Sequence, residues 1–174
     1  MVEPVYVVPY EPRWPSLFAL ERSRVEAVVG SYVEAIEQAG STAVPGLDAK
    51  PVIDLMVGVR DIQSAGSCIR PLEEIGYSYW AENPNPERML FVRFADADRT
   101  SRTHNLHVVE AGGDLWRDRI VFRDHLRSHP EAAREYACLK HALAERFRDD
   151  REAYTRAKAD FISAMLERTR ASRA

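Results

Sequence analysis

Residues 51–59 constrain this chain more than any other stretch. Pro51-Val52-Ile53-Asp54-Leu55-Met56-Val57-Gly58-Val59 is apolar except for one carboxylate, and a short apolar run bounded by turn residues reads as a β-strand. The carboxylate needs a physical reason, because desolvating it without a partner is costly. The strand is reached through Gly40-Ser41-Thr42 and a Pro45-Gly46 turn, and residues 33–39 ahead of them alternate well enough to form a strand of their own.

Strand and helix patterns alternate around this pair. Val5-Tyr6-Val7-Val8, stopped by Pro9 and Pro12, suits an edge strand or an extended arm on the core. Trp14, Leu17, Phe18, Val25 and Val28 recur at helical spacing up to Gly30. Asp61 stands as the cap of a helix through Ile62, Ile69, Leu72 and Ile75, ended by Gly76. Residues 77–80, 89–94 and 105–109 read as three more strands, separated by the Pro84/Pro86 loop and a charged turn at 96–102. From Gly113 onward the chain is helical. One helix covers 115–128, a second runs from Pro130 to Phe147, and a third carries Tyr154, Phe161 and Met165 toward an Arg-rich tail. These patterns alone reach α/β or α+β, in one domain over residues 1–174, since that length closes one sizeable core and is short for two domains.

Composition narrows the partners. With 24 Lys and Arg against 27 Asp and Glu, the net charge of -3 supplies no bulk attraction to nucleic acid or anionic membrane, so any polyanion site must be local. No window approaches the ~18 to 20 apolar residues that span a bilayer. Met1 runs into Glu3, Pro4 and Tyr6 without the basic and apolar regions of a secretion signal, so the expected location is cytoplasmic. Cys68 and Cys138 fit no metal-ligand spacing and read as buried or half-buried free thiols. Neither a Walker-type phosphate loop nor a dinucleotide fingerprint is present.

The stretch Gly40-Ser41-Thr42-Ala43-Val44-Pro45-Gly46-Leu47-Asp48-Ala49-Lys50-Pro51-Val52-Ile53-Asp54-Leu55-Met56-Val57 resembles the signature of the nucleotidyltransferase superfamily, in which a Gly-Ser turn opens a short helix and an acidic strand follows. With Lys50-Pro51 and Asp54 it is similar specifically to the GrpB family. That resemblance continues at Val8-Pro9-Tyr10-Glu11-Pro12-Arg13-Trp14-Pro15, at His104-Asn105-Leu106-His107-Val108, and from Phe122 through His125 and His129 to Glu131. It implies a nucleotidyltransferase-like mixed β-sheet with flanking helices and a C-terminal helical segment. It also implies a nucleoside triphosphate substrate with Mg2+ or Mn2+, and phosphate contact for Gly40 and Ser41. Glycine lets a backbone come close to phosphate, and a hydroxyl donates a hydrogen bond. GrpB-family domains also occur fused to dephospho-CoA kinase, which implies a nucleotide or coenzyme-A context.

One departure bears on chemistry. Active nucleotidyltransferases place two carboxylates two residues apart on the strand, so that both face one side and hold divalent metal against the triphosphate. Here Asp54 takes the second position, Val52 stands in the first, and Met56 is next on the same face. A later strand normally adds a third acid; the matching segment offers His107, with Glu110 nearby. A catalytically degenerate nucleotide- or anion-binding module and a structural or interaction protein therefore stand beside the enzyme.

Strand parity sorts the remaining candidates. Asn105, His107 and Val109 share one face, and His104, Leu106 and Val108 the other. If His107 faces the cleft of Asp54, the two either bind one metal or act as base and orienting carboxylate; otherwise His107 is a buried structural partner. A phosphate also needs positive charge. Lys50 directly precedes the acidic strand. Lys140 interrupts the stripe of Tyr136, Leu143 and Phe147, and Lys158 that of Tyr154, Phe161 and Met165. Each either snorkels to the helix edge or reaches an anionic ligand. Arg93 either joins them or makes a salt bridge. The expected partner is a small phosphate-bearing molecule, with Trp80 or Trp116 able to stack on a base.

Overall fold

In the computed structural model, which describes residues 4–171, the alternating pattern becomes a five-stranded mixed sheet. Its strands are β1 (Val33–Ala39), β2 (Ile53–Val59), β3 (Ser78–Tyr79), β4 (Arg88–Phe94) and β5 (Arg102–Glu110), in the order β1-β2-β5-β4-β3. Neighbours are antiparallel except β2 and β5, which run parallel through Asp54↔Asn105 and Met56↔His107. Residues paired across a ladder point to the same side. Asp54, Asn105 and His107 therefore share one face, as parity requires.

The opposite face carries the main core. Leu55, Val57, Phe91, Leu106 and Val108 are fully buried there beneath α1 (Trp14–Val29) and α2 (Ile69–Glu74). The expected helix from Asp61 is capped as read, with the Asp61 carboxylate accepting from Gln63 N at 2.9 Å. Its first part, Ile62–Cys68, is nevertheless a 3-10 helix. Ser64, Gly66 and Ser67 lie in that part, and such residues add little to an α-helix.

On the site face, α3 (Asp114–Ser128) covers part of β1, β2 and β5, packing Leu115 and Trp116 over Ala39, Met56 and Val109. Above it α4 (Pro130–Arg146) and α6 (Ala159–Ala171) close a second cluster on Val44 and Leu47. The third expected helix is in fact two, α5 (Arg151–Ala157) and α6, parted at Lys158. Residues 5–8 form the expected extended arm. Val5 N donates to Arg148 O at 2.7 Å, Val8 bridges Ala49, and Val5 packs on Tyr154. Cys68 is buried as expected, but Cys138 is exposed, because the phase of α4 that buries Tyr136 and Lys140 turns it outward. Among the described residues no helix is long and apolar enough to cross a membrane, and the Arg-rich tail lies partly outside them.

Candidate functional site

The part of the sheet face that α3 leaves open forms a cleft of about 920 Å³ between β2, β4 and β5 on one side and α4, α5 and the α5–α6 junction on the other. That is the size of a small-molecule site.

Asp54 sits on its floor. Oδ1 accepts from Asn105 Nδ2 at 2.8 Å and lies 3.6 Å from His107 Nε2, beyond hydrogen-bond distance. Asn105 Oδ1 in turn accepts from Arg102 Nη1 at 3.3 Å, so the amide is fixed from both ends. The other Asp54 oxygen occupies the space over Gly40, where an added Cβ would stand 2.2 Å from Oδ2 and 2.9 Å from Cγ. Gly40 has φ 70 and ψ -173, a backbone conformation open to glycine almost alone. Its missing side chain is thus what admits Asp54.

Burial works against the charge on Asp54, but His107, the Asn105 hydrogen bond and Lys50 outweigh it and hold the carboxyl at about 2. For His107 burial wins over the attraction of Asp54 and keeps the imidazole below its ordinary value. At neutral pH the pair is therefore a carboxylate beside a neutral imidazole, an arrangement that can orient a base.

Three lysines converge above this floor. Two of them lie against Tyr154, with Lys50 Nζ 5.2 Å and Lys158 Nζ 4.4 Å from its ring centre. Burial, then the like charges of Arg151 and Lys158, lower Lys50 to about 7. Burial also lowers Lys158 to about 8 and Lys140 to about 7. Lys140 does not snorkel outward: it is 2 % exposed, donates to the carbonyl of Asp48 and lies 4.8 Å from the Tyr136 ring centre. His141, on the next position of α4, holds the Asp48 carboxylate at 2.8 Å, so Lys140 braces the loop before β2 as well as lining the cleft.

A lysine depressed in the fold binds fewer protons than in the unfolded chain, so stability rises with pH between the two values. For these three lysines the window runs from about 7 up to their ordinary 10.5. Urea unfolding should show stability increasing from pH 7 to about 9.5, with the slope reduced in a Lys50→Met/Lys158→Met variant. An unchanged slope in that variant contradicts the burial of these charges.

The identity of the chain follows from its relatives. The family model described as GrpB protein matches residues 4–168. The chain belongs to the GrpB family. It is 43% identical to a UPF0157 protein of Pseudomonas aeruginosa over 97% of this chain and 69% of that one. It is 37% identical to the glutamate-rich protein GrpB of Alkalihalophilus pseudofirmus over 93% and 94%. The crystal structure of GrpB from Enterococcus faecalis superposes with a TM-score of 0.83 at 29% identity, covering 94% of this chain and 96% of that one. The Cid1 poly(U) polymerase superposes at 0.52 with 12% identity, covering 81% and 44%, a likeness of fold alone. A dephospho-CoA kinase of Mycolicibacterium paratuberculosis is 28% identical over 89% of this chain but only 43% of its own length. The nucleotidyltransferase-like α/β fold is thus common to the GrpB domain and a polymerase.

Among the residues singled out from the sequence, the GrpB fold brings Gly40, Ser41, Lys50, Asp54, His107, Lys140 and Lys158 to one cleft. Arg93 does not join them. It points to the opposite face and donates to Glu21 at 2.7 Å, beneath α1. Trp116 packs under Gly58, whereas Trp80 stands at the cleft rim, 38% exposed. Glu37 accepts from the buried Arg123 at 2.8 Å.

Sequence reading missed Arg88, Asn105, Arg119 and Arg151, which also line the cleft. Asn105 was within reach, since it shares the face of His107 two residues away. Arg119 stands in register with Leu115, Phe122 and Leu126, and Arg151 with Tyr154 and Lys158, so both carry the same spacing that marked Lys140 and Lys158.

The Mg2+ or Mn2+ implied at Asp54 and His107 does not fit these residues. Val52, 5% exposed, fills the place of the first carboxylate. Among the described residues no three His, Cys, Asp or Glu side chains are arranged to hold an ion. Hard cations need several oxygen ligands, whereas Asp54 has one oxygen engaged by Asn105 and faces lysines above.

Proposed function

We propose that the cleft binds a nucleotide or another small phosphate-bearing molecule. One observation carries this reading: in a chain of net charge -3, eight of the side chains lining the cleft are Lys or Arg and three are Asp or Glu. Concentrating like charge in a partly desolvated cleft is unfavourable unless an anion compensates it. Lys50, Lys158, Arg88, Arg119 and Arg151 come from five separate segments, so only the folded domain assembles them. Trp80 at the rim is placed to stack on a base.

Transfer of a nucleoside monophosphate to an acceptor is the second reading, favoured by the Asp54–His107 contact. In it the neutral imidazole takes the acceptor's proton and Asp54 orients the ring and balances the charge that forms. The similarity to a dephospho-CoA kinase keeps coenzyme-A precursors among the ligands to try.

Thermal unfolding against nucleoside triphosphates and coenzyme-A precursors tests the binding reading. A ligand that binds only the folded state at 100 times its Kd adds about 2.7 kcal/mol, which for a chain of this size is a rise of roughly 5–10 °C. If no phosphate compound raises the midpoint while the protein is otherwise folded, the reading fails and a protein partner takes its place.

A further inference from the structure

Lysine is used in one place only. The chain has 21 arginines and three lysines, and all three lysines, Lys50, Lys140 and Lys158, line the cleft. Positive charge alone does not require lysine there, because Arg88 and Arg119 line the same cleft and a guanidinium grips phosphate through two hydrogen bonds at once. What lysine offers and arginine does not is an amine that can lose its proton and act as a nucleophile.

The three amines are not equivalent. Lys140 Nζ is tied to the Asp48 carbonyl. Among the described residues Lys50 and Lys158 have neither a hydrogen bond nor a carboxylate in ion-pair contact, and the Tyr154 ring is the neighbour of each Nζ. Neither Nζ is among the side-chain atoms sealed from water without a partner, so both are open to the cleft. Of the two, Lys50 has the more firmly held backbone. Asp48 is gripped by Lys140 and His141, Ala49 pairs with Val8 in both directions at 2.9 and 3.0 Å, and Lys50 O accepts from Val52 N at 2.7 Å. A reactive group on a fixed segment meets a bound substrate in one place.

Resting on the reading that the cleft takes a phosphate ligand, we propose that Lys50 is a nucleophile toward a small phosphate ester that carries an aldehyde or ketone. Its nitrogen attacks the carbonyl carbon as the C=O pair moves to oxygen, and the carbinolamine then expels that oxygen as water while C=N forms. Both hydrogens of the neutral amine leave in that water, so no oxidant or reductant is needed. Burial first, then Arg151 on α5 and Lys158 at the α5–α6 junction, outweigh the favourable Asp54 on β2, with Arg102 on β5 adding to them, and lower the Lys50 amine to about 7. At pH 7 this gives about a thousandfold more free amine than an ordinary lysine holds.

Trapping with pyridoxal phosphate tests the proposal, beside pyridoxal, which lacks the phosphate, and pyridoxine phosphate, which lacks the aldehyde. The adduct on the whole chain is fixed with sodium cyanoborohydride and located by peptide mass spectrometry, and three lysines make the assignment direct. Pyridoxal phosphate should modify Lys50 about tenfold or more faster than Lys140 or Lys158, and about tenfold or more faster than pyridoxal does. Half-maximal trapping at Lys50 should lie near pH 7 and move upward in Lys158→Met. Lys50→Arg keeps the charge, so it should lose the adduct while calorimetric affinity for pyridoxine phosphate stays within about tenfold of the wild type. If pyridoxine phosphate binds but Lys50 reacts no faster than the other lysines, or no faster with pyridoxal phosphate than with pyridoxal, the proposal is overturned and phosphate binding stands on its own. Absence of both binding and preferential trapping overturns the two readings together.

Discussion

Gly40→Ala should lower stability by about 2–4 kcal/mol and abolish ligand binding together. The first contribution is backbone strain, because the φ 70, ψ -173 conformation is nearly closed to residues with a Cβ. The second is steric. A methyl group at Gly40 meets Asp54 Oδ2 at 2.2 Å, and rotating the carboxyl away leaves a contact of 3.1 Å to Asp54 Cβ. The carboxylate must then leave Asn105 and His107, so a buried charge loses its partners. Urea denaturation alongside a binding isotherm measures both effects. A Gly40→Ala protein with the wild-type midpoint and affinity contradicts the close approach of Asp54 to this turn.

Glu21→Ala should cost about 3–5 kcal/mol, through loss of a buried charge that three partners share. Glu21 is 3% exposed and accepts from Arg24 Nη1 at 2.8 Å, Arg93 Nη1 at 2.7 Å and the Tyr77 hydroxyl at 3.0 Å. Truncation leaves the Tyr77 hydroxyl buried and Arg93 half-buried without their acceptor. This network ties α1 to β4 and to the residue before β3, and so holds the rear of the sheet that carries the site. Glu21→Gln, which keeps the shape and one acceptor, should lose less than Glu21→Ala when both are unfolded in urea. Equal losses for the two variants contradict an electrostatic role for this carboxylate.

These two positions show what the sequence made legible and what it left hidden. The apolar run around Asp54 and the parity of Asn105 and His107 are properties of single strands, and both read through to the sheet. The strand and helix order followed for the same reason, because period and turn residues are local. Gly40 was singled out from the Gly-Ser turn as a phosphate contact, whereas its packing against Asp54 follows only from the antiparallel pairing Ala39↔Asp54. Arg93 failed similarly, since its face depends on which side of the sheet the cleft occupies. Glu21 gave no signal, as a glutamate on an amphipathic helix ordinarily faces water. The break at Lys158 was invisible because Ala157, Lys158 and Ala159 are all compatible with a continuous helix. Lys50, Lys140 and Lys158 were legible because each interrupts or adjoins an apolar stripe; Arg119, among Leu115, Phe122 and Leu126, and Arg151, three residues before Tyr154, offer the same signal.

The central claim is that lysines gathered over Asp54 make a phosphate site, and a binding isotherm for ATP on the Lys50→Met/Lys158→Met variant tests it most directly. Both ammonium groups are depressed by burial, so their removal should leave the unfolding midpoint at neutral pH unchanged or higher. Loss of binding therefore cannot come from loss of fold. The account predicts a folded variant whose affinity is weaker by about a hundredfold, roughly 2.8 kcal/mol. A folded variant that binds ATP as tightly as the wild type would place the ligand elsewhere and contradict the account.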